Sequence, residues 1–271
     1  MPPLKAIPPA TTLDEVIKAI TSVIDWSIDA KSRLGYFAAL YKRITIAVKA
    51  AVKQGLFVDG PRMERFDVAF ANRYFAAVNG HFHPDKYPKA TYSWQVTFDG
   101  AGLAEPIIVQ HLLAGVNAHI DLDLGIAAQT IAPGPQLNTL REDFNRINGV
   151  LASQVTGVVE DIHELSPVLA DLYAVLEQNE IHLINQALKI YRDSAWGFAT
   201  TLARSPTVLH EATIYARDIK VAQQGALIYS PPQPIAAVID AIAARESRKV
   251  VENIKVLNEI ASTPAPINTT L

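Results

Sequence analysis

The spacing of apolar residues between proline and glycine breaks is the feature that most constrains the fold of this chain. Apolar side chains recur at three- and four-residue intervals in one segment after another. That spacing places them on one side of an α-helix. No segment shows the sustained alternation of apolar and polar residues that half-buried β-strands require. The sequence therefore predicts an all-α protein of roughly eight helices.

The breaks between these segments are short, which predicts a single helical domain. Thr12 to Glu15 has the form of a capping box, so the first helix should begin there. We expect an extended, proline-rich arm over residues 1–11, an all-α domain over 12–262 and a flexible tail over 263–271. Residues 79–99 contain Gly80, Pro84 and Pro88 and are interpreted as a long loop, a kind of segment that is often functional.

Composition excludes several classes of function. The 271 residues carry a formal net charge of −3, which gives no electrostatic argument for a nucleic acid or an anionic membrane as partner. The chain has no cysteine, which rules out disulfides and thiolate catalysis. No apolar run is long enough to predict a membrane span, and the first ten residues do not resemble a signal peptide. We therefore expect a cytoplasmic protein whose partner is a small molecule; the sequence leaves its oligomeric state open.

One apolar stretch, from Gln110 to Leu124, carries an unusual number of polar side chains. It holds two histidines, one asparagine and two aspartates. Such runs are normally buried, and buried ionisable groups need partners. The stretch predicts a central buried helix near residues 106–128.

His119 and Asp123 are one helical turn apart in this stretch and should face the same way. A divalent metal ion such as zinc accepts a histidine nitrogen and an aspartate oxygen. We therefore take His119, Asp123 and His111 as candidate metal ligands, and His119, Asp123 and Asn117 as candidate catalytic residues. The alternative is a buried histidine that bonds to an aspartate and only stabilises the core. Asp121 points to another face, where it is either solvated or paired with an arginine from another helix.

Two further groups of residues attract attention. His81 and His83 lie among aromatic residues in the predicted loop and could add a metal ligand or a general acid or base, although ordinary loop histidines are the simpler interpretation. Glu160 and His163 have the Glu-x-x-His spacing that di-iron carboxylate proteins use. Such bundles need a second copy of this motif, and the sequence shows one clean copy, so a polar helix end is favoured.

The chain resembles a functionally uncharacterised, mostly bacterial family of all-helical proteins. The resemblance rests on Asp67-Val68-Ala69-Phe70-Ala71-Asn72-Arg73-Tyr74, then Trp94, then the stretch from Gln110 to Leu124, which has the form Q-x-x-L-x-G-x-N-A-H-I-x-x-D-L. It implies no particular reaction. It draws attention to Asn72, Trp94 and Gln110, which together with His81 and His83 form the predicted substrate pocket. It also favours His119 and Asp123 over His111 as ligands.

A looser similarity is to the fold of zinc-dependent phospholipase C and single-strand nucleases. Those proteins are all-α and use His-x-x-x-Asp pairs on helices, and the segment from His119 to Asp123 matches that one element. The other ligands of that group are not evident in this sequence, so the similarity is an analogy.

Three functions follow as hypotheses. The first is a metal-dependent hydrolase of a small ester or phosphoester, with its site on the central helix. The second is a helical binding module for an apolar small molecule or lipid, in which the His/Asn/Asp set is a structural network. The third is a non-haem iron oxidase built on Glu160 and His163.

Overall fold

The computed structural model describes residues 1–169, 171, 180–261 and 265–267 of the chain. Its regular elements are all helical, so the all-α prediction is confirmed, and no β-strand occurs among these residues. They form eleven α-helices and one π-helix, more than the eight predicted. No helix in the described ranges is long and apolar enough to cross a membrane.

The helices follow one another with short connections. In chain order they are α1 (Leu13–Ala30), α2 (Leu34–Lys53), α3 (Gly60–Phe82), α4 (Tyr92–Ala101), α5 (Ile108–Val116), the π-helix (Asn117–Leu124), α6 (Gly125–Ile131), α7 (Leu137–Leu165), α8 (Glu180–Arg204), α9 (His210–Tyr229), α10 (Ile235–Ala243) and α11 (Val250–Ala261).

The predicted central helix is present, but it is not one uniform α-helix. It runs from Ile108 to Ile131 as α5, the π-helix and α6 in succession. Seven of the eight π-helix residues are buried, and the π-helix packs against α3, α4, α8 and α9. A change from i→i+4 to i→i+5 hydrogen bonding leaves no mark on the apolar spacing, so the sequence did not predict it.

The predicted loop over residues 79–99 is mostly helical, which corrects that interpretation. Helix α3 continues to Phe82, and α4 begins at Tyr92. Trp94, Phe98 and Ala101 of α4 are buried at three- and four-residue spacing, a pattern that the nearby prolines obscured. Glycine is required at helical position 80 because the backbone of residues 88–90 crosses it: a Cβ atom at Gly80 would lie 2.2 Å from the carbonyl oxygen of Pro88.

The N-terminal arm is extended and packs onto the helices. Leu4, Ile7 and Ala10 are buried. The Asn79 amide donates to the Ile7 carbonyl and accepts from the Ile7 N–H, both at 2.8 Å. These paired bonds fix the arm along α3.

Two predicted segments fall partly outside the described residues. Of the predicted tail, only residues 265–267 are described, and there the backbone N–H and carbonyl of Ala265 bond to the side-chain amide of Gln154. The predicted all-α domain over 12–262 includes residues 170, 172–179 and 262, which also lie outside the description.

The close approach at Gly80 gives a stability prediction. We expect Gly80→Ala to lower the free energy of unfolding by roughly 1–3 kcal/mol, because the new methyl group collides with backbone that has to move. Gly197→Ala is the matched control, since nothing lies within 4 Å of a Cβ atom at that helical position. Alanine should be neutral there or stabilising by at most about 1 kcal/mol. Chemical denaturation measures both, and equal effects would contradict the packing argument.

Candidate functional site

His119 and Asp123 lie in the π-helix and face each other. Nδ1 of His119 is 3.4 Å from Oδ2 of Asp123, and both side chains are buried. The prediction that His119 and Asp123 face the same side of the central helical run is confirmed.

The Asp123 carboxylate also accepts hydrogen bonds from two other helices. Nε of Arg73 on α3 donates to Oδ1 at 2.6 Å, and Nε1 of Trp94 on α4 donates to Oδ2 at 2.8 Å. Burial by itself would raise the pKa of Asp123, but the Arg73 charge and the bonds from His119 and Trp94 outweigh burial and hold that pKa below its usual value. Asp123 is thus an ionised carboxylate with a protein donor on each oxygen.

The His119 ring is enclosed by aromatic side chains. It stacks on Phe70 with ring centroids 3.6 Å apart and planes 7° apart, and the Tyr41 ring meets it edge-on at 4.6 Å. Burial lowers the pKa of His119 by more than Asp123 raises it, so the ring is neutral at neutral pH. Because Nδ1 faces an ionised carboxylate, Nδ1 carries the proton and Nε2 is an acceptor. Nε2 is buried and has no hydrogen-bond partner in the part of the chain that the structure describes.

His119 forms part of the wall of a large apolar cavity of about 400 Å³. The cavity lies between α2, α3, the central helical run, α7 and α8. Most of its wall is aliphatic or aromatic, and its polar wall residues are Tyr41, Asp67, His119, Gln154, His163 and Arg192. Leu113 lines it and is 43% exposed, so the cavity reaches the surface near that residue.

Two of the polar wall residues carry buried charge. Burial raises the pKa of Asp67 to about 7, although the charge of Arg192 acts in the opposite direction. Burial likewise lowers the pKa of Arg192 to about 9. Oδ2 of Asp67 is buried and has no hydrogen-bond partner among the described residues. The cavity wall therefore contains hydrogen-bonding capacity that the described part of the chain does not use.

His111 lies apart from His119, in contact with the rings of Tyr36 and Tyr229. Burial is the main reason that its pKa falls to about 4. No group of three or more histidine, aspartate or glutamate side chains within the described ranges is arranged to hold a metal ion. His111, His119 and Asp123 are therefore not gathered into one ligand set.

Asn117 and Gln110 hold α9 against the central run. The Asn117 amide donates to the carbonyl of Val221 at 2.9 Å. The Gln110 amide donates to the carbonyl of Ile228 at 2.6 Å. Both side chains have a structural role in these contacts.

The other predicted pocket residues lie elsewhere. The Asn72 side-chain amide donates to the Ala10 carbonyl and accepts from the Ala10 N–H. Nε2 of His83 lies 2.7 Å from the carbonyl oxygen of Leu4, and His81 packs on Phe82 and Phe98. None of these three, nor Trp94 or Gln110, lines the large cavity.

Asp121 is paired with an arginine from another helix, one of the two alternatives that the sequence left open. Nη2 of Arg217 on α9 lies 2.5 Å from its Oδ1. Each aspartate of the π-helix is thus bonded to an arginine of a different helix.

Sequence reasoning missed Asp67, Arg192 and Tyr41 as wall residues and Arg73 as the partner of Asp123. Asp67 and Arg73 lie in the stretch that carries the family resemblance, and Arg192 lies within an apolar helix. A charge inside an apolar pattern was the available signal, but it did not reveal which charges meet.

The network around Asp123 predicts a large stability effect. We expect Asp123→Asn to lower the free energy of unfolding by roughly 3 kcal/mol, the lower end for a broken buried ion pair, because Arg73 is 31% exposed. Asp14→Asn removes the exposed ion pair with Lys49 and is the matched control, with an expected loss of at most about 1 kcal/mol. Urea denaturation compares the two, and similar losses would show that the network contributes little.

Comparison with known proteins gives a family and no activity. No curated protein and no solved structure matches the chain. A model of a family of unknown function (DUF5995) matches residues 13–231, which is most of the chain. The matched range includes α2, α3, α7, α8 and the central helical run, the elements that surround the cavity. The chain belongs to this family of unknown function.

Proposed function

We propose that this protein binds a long apolar small molecule in the cavity between α2, α3, α7, α8 and the central helical run. The observation that carries the proposal is the cavity itself, about 400 Å³ with a largely aliphatic and aromatic wall. Ligand pockets for small molecules and cofactors fall in the range of roughly 300–1,000 Å³ and combine apolar walls with a few polar groups.

The energetic cost of such a cavity supports a ligand. Protein interiors are close-packed, with few voids larger than a water molecule. An empty apolar cavity of this size lacks the packing contacts that a filled interior makes, and the loss of such contacts lowers stability. A ligand that fills the space recovers much of that loss.

Access from the surface supports the same proposal. Leu113 and Ala187 line the cavity and are exposed. The cavity wall therefore reaches the protein surface at α5 and at α8.

The metal-dependent hydrolase stays a prediction. His119 and Asp123 face each other, as that hypothesis requires, but Asp123 already accepts bonds from Arg73 and Trp94. These contacts support the structural interpretation of the pair. Elemental analysis of purified wild type and His119→Ala separates the two: stoichiometric metal that is lost in the variant would favour the hydrolase and its similarity to the phospholipase C fold.

The iron oxidase also stays a prediction. Glu160 is exposed, whereas His163 lines the cavity, and the intervening Asp161 lies 3.7 Å from Arg43 in a buried pair. An absorption spectrum of iron-loaded protein tests it.

Filling the cavity should abolish binding. We expect wild type to bind the neutral apolar dye Nile red saturably. Val155→Phe should bind the dye with an affinity at least about tenfold lower, because the added ring occupies the cavity at α7. Val208→Phe adds the same bulk at a side chain that is 85% exposed and should bind like wild type. Fluorescence titration measures affinity, and thermal unfolding verifies that each variant is folded.

Two outcomes would contradict the proposal. One is the lack of saturable binding of any apolar probe by wild type. The other is a folded Val155→Phe variant that binds as tightly as wild type. Organic extraction of purified wild type, followed by mass spectrometry, identifies any molecule that copurifies.

A further inference from the structure

The cavity is elongated, and its two ends differ chemically. The α7 residues that line it extend from Ile147 to His163, which at 1.5 Å per residue corresponds to about 24 Å along the helix axis. At the His163 end the wall includes Val109, Ile162 and Leu169, which belong to one apolar cluster. The charged wall residues are at the other end.

Phe144 lies about one turn before Ile147 in α7, and contacts with Phe144 place Asp67 and Arg192 at the Ile147 end of the cavity. Nη2 of Arg192 donates to the Phe144 carbonyl at 2.6 Å, and its guanidinium lies over the Phe144 ring. The Phe66 ring, next to Asp67 in α3, lies 6.2 Å from the same ring. The end with Asp67 and Arg192 is therefore the polar end of the cavity, and the wall at the other end, which includes His163, is mostly apolar.

Asp67 and Arg192 are close enough to influence each other and yet do not form an ion pair. No salt bridge within 4.0 Å joins either to an opposite charge in the described part of the chain. Arg192 uses Nε and Nη2 for hydrogen bonds to Asn148 and Phe144, and Nη1 makes none to any described residue. Oδ2 of Asp67 likewise has no hydrogen-bond partner in the described ranges. Each group thus has hydrogen-bonding capacity left for a third group.

The other titratable wall residues do not supply a charge at this end. Tyr41 of α2 and His119 of the π-helix are neutral near pH 7, since burial raises the pKa of Tyr41 and lowers that of His119. His163 of α7 lies at the far end.

Asp193, the next residue of α8, acts on Arg192 through its charge, but its carboxylate accepts a hydrogen bond from Lys189 and none from Arg192. Arg192 therefore has no bonded counter-charge among the described residues when Asp67 is protonated.

We propose that the ligand is a long-chain monocarboxylic acid whose carboxylate accepts hydrogen bonds from Arg192 and from the protonated carboxyl of Asp67, with its chain directed towards Leu169. This inference rests on the proposed function and names its ligand class. A guanidinium suits a carboxylate in both charge and planar geometry. An alcohol of the same length would leave Arg192 without a bonded counter-charge, and an amine would be repelled by it.

Asp67 makes the proposal testable through pH. Two carboxylates at one site cannot both ionise without repulsion, so the acid binds when Asp67 holds its proton. The pKa of Asp67 is about 7 in the unliganded protein. Above that pH the affinity for a carboxylate should fall by up to about tenfold per pH unit, whereas the affinity for an alcohol should not change.

The experiment is calorimetric titration of decanoate and decanol into wild type and Asp67→Asn, below and above about pH 7. Wild type should bind decanoate more tightly than decanol at low pH and lose that preference at high pH. Asp67→Asn keeps an N–H donor and carries no charge, so it should bind decanoate without pH dependence and more tightly than wild type at high pH.

A second pair of variants tests the guanidinium. Arg192→Gln should lose the preference for decanoate while retaining decanol. Arg141→Gln is the matched control, since Arg141 also lies over an aromatic ring but is 42% exposed and outside the cavity wall. Thermal unfolding verifies folding, and if Arg192→Gln is unfolded, the Asp67→Asn comparison decides alone.

The outcomes separate this inference from the proposed function. If neither decanoate nor decanol binds wild type, both fail. If decanol binds wild type as tightly as decanoate below about pH 7, the cavity binds ligands and the carboxylate assignment is overturned. The same holds if the decanoate affinity of wild type does not fall above that pH, as that of Asp67→Asn should not.

Discussion

The carboxylate of Asp123 is the interaction on which the centre of this structure depends. It accepts bonds from Arg73 of α3, Trp94 of α4 and His119 of its own π-helix, so one buried charge connects three elements. An ionised carboxylate in an apolar core is costly unless it is paired and fully hydrogen-bonded. The positions of the three donors are therefore restricted, and with them the relative placement of α3, α4 and the central run.

This network also fixes the wall of the cavity. His119 is held on one edge by Asp123 and on its face by Phe70, so its ring forms a rigid part of the lining. The same arrangement that gives the core a polar centre leaves an apolar space beside it. A buried network and a cavity each cost stability, and the extensive apolar clusters on both sides of α2 offset that cost.

The predicted chemistry of the His–Asp pair changes once its surroundings are known. A histidine and an aspartate one turn apart are equally suited to a metal ion and to a structural hydrogen bond. Arg73 and Trp94 occupy the carboxylate oxygens, and the aromatic rings enclose the imidazole. Nε2 of His119 keeps unused hydrogen-bonding capacity, and so do the two ionisable wall residues at the polar end of the cavity, Asp67 and Arg192.

The sequence by itself determined the helical class, the start of α1 at Leu13, the burial of the central run and the common side of His119 and Asp123. These are local properties, because helix periodicity, capping residues and one-turn spacing are all set within a few residues. Only the tertiary structure decided that α4 is helical, that Asp123 meets Arg73, and that Asp67 and Arg192 lie at one end of a cavity. Those contacts join residues far apart in the chain, and a cavity is the space that several helices leave unfilled, so neither has a local signature in the sequence.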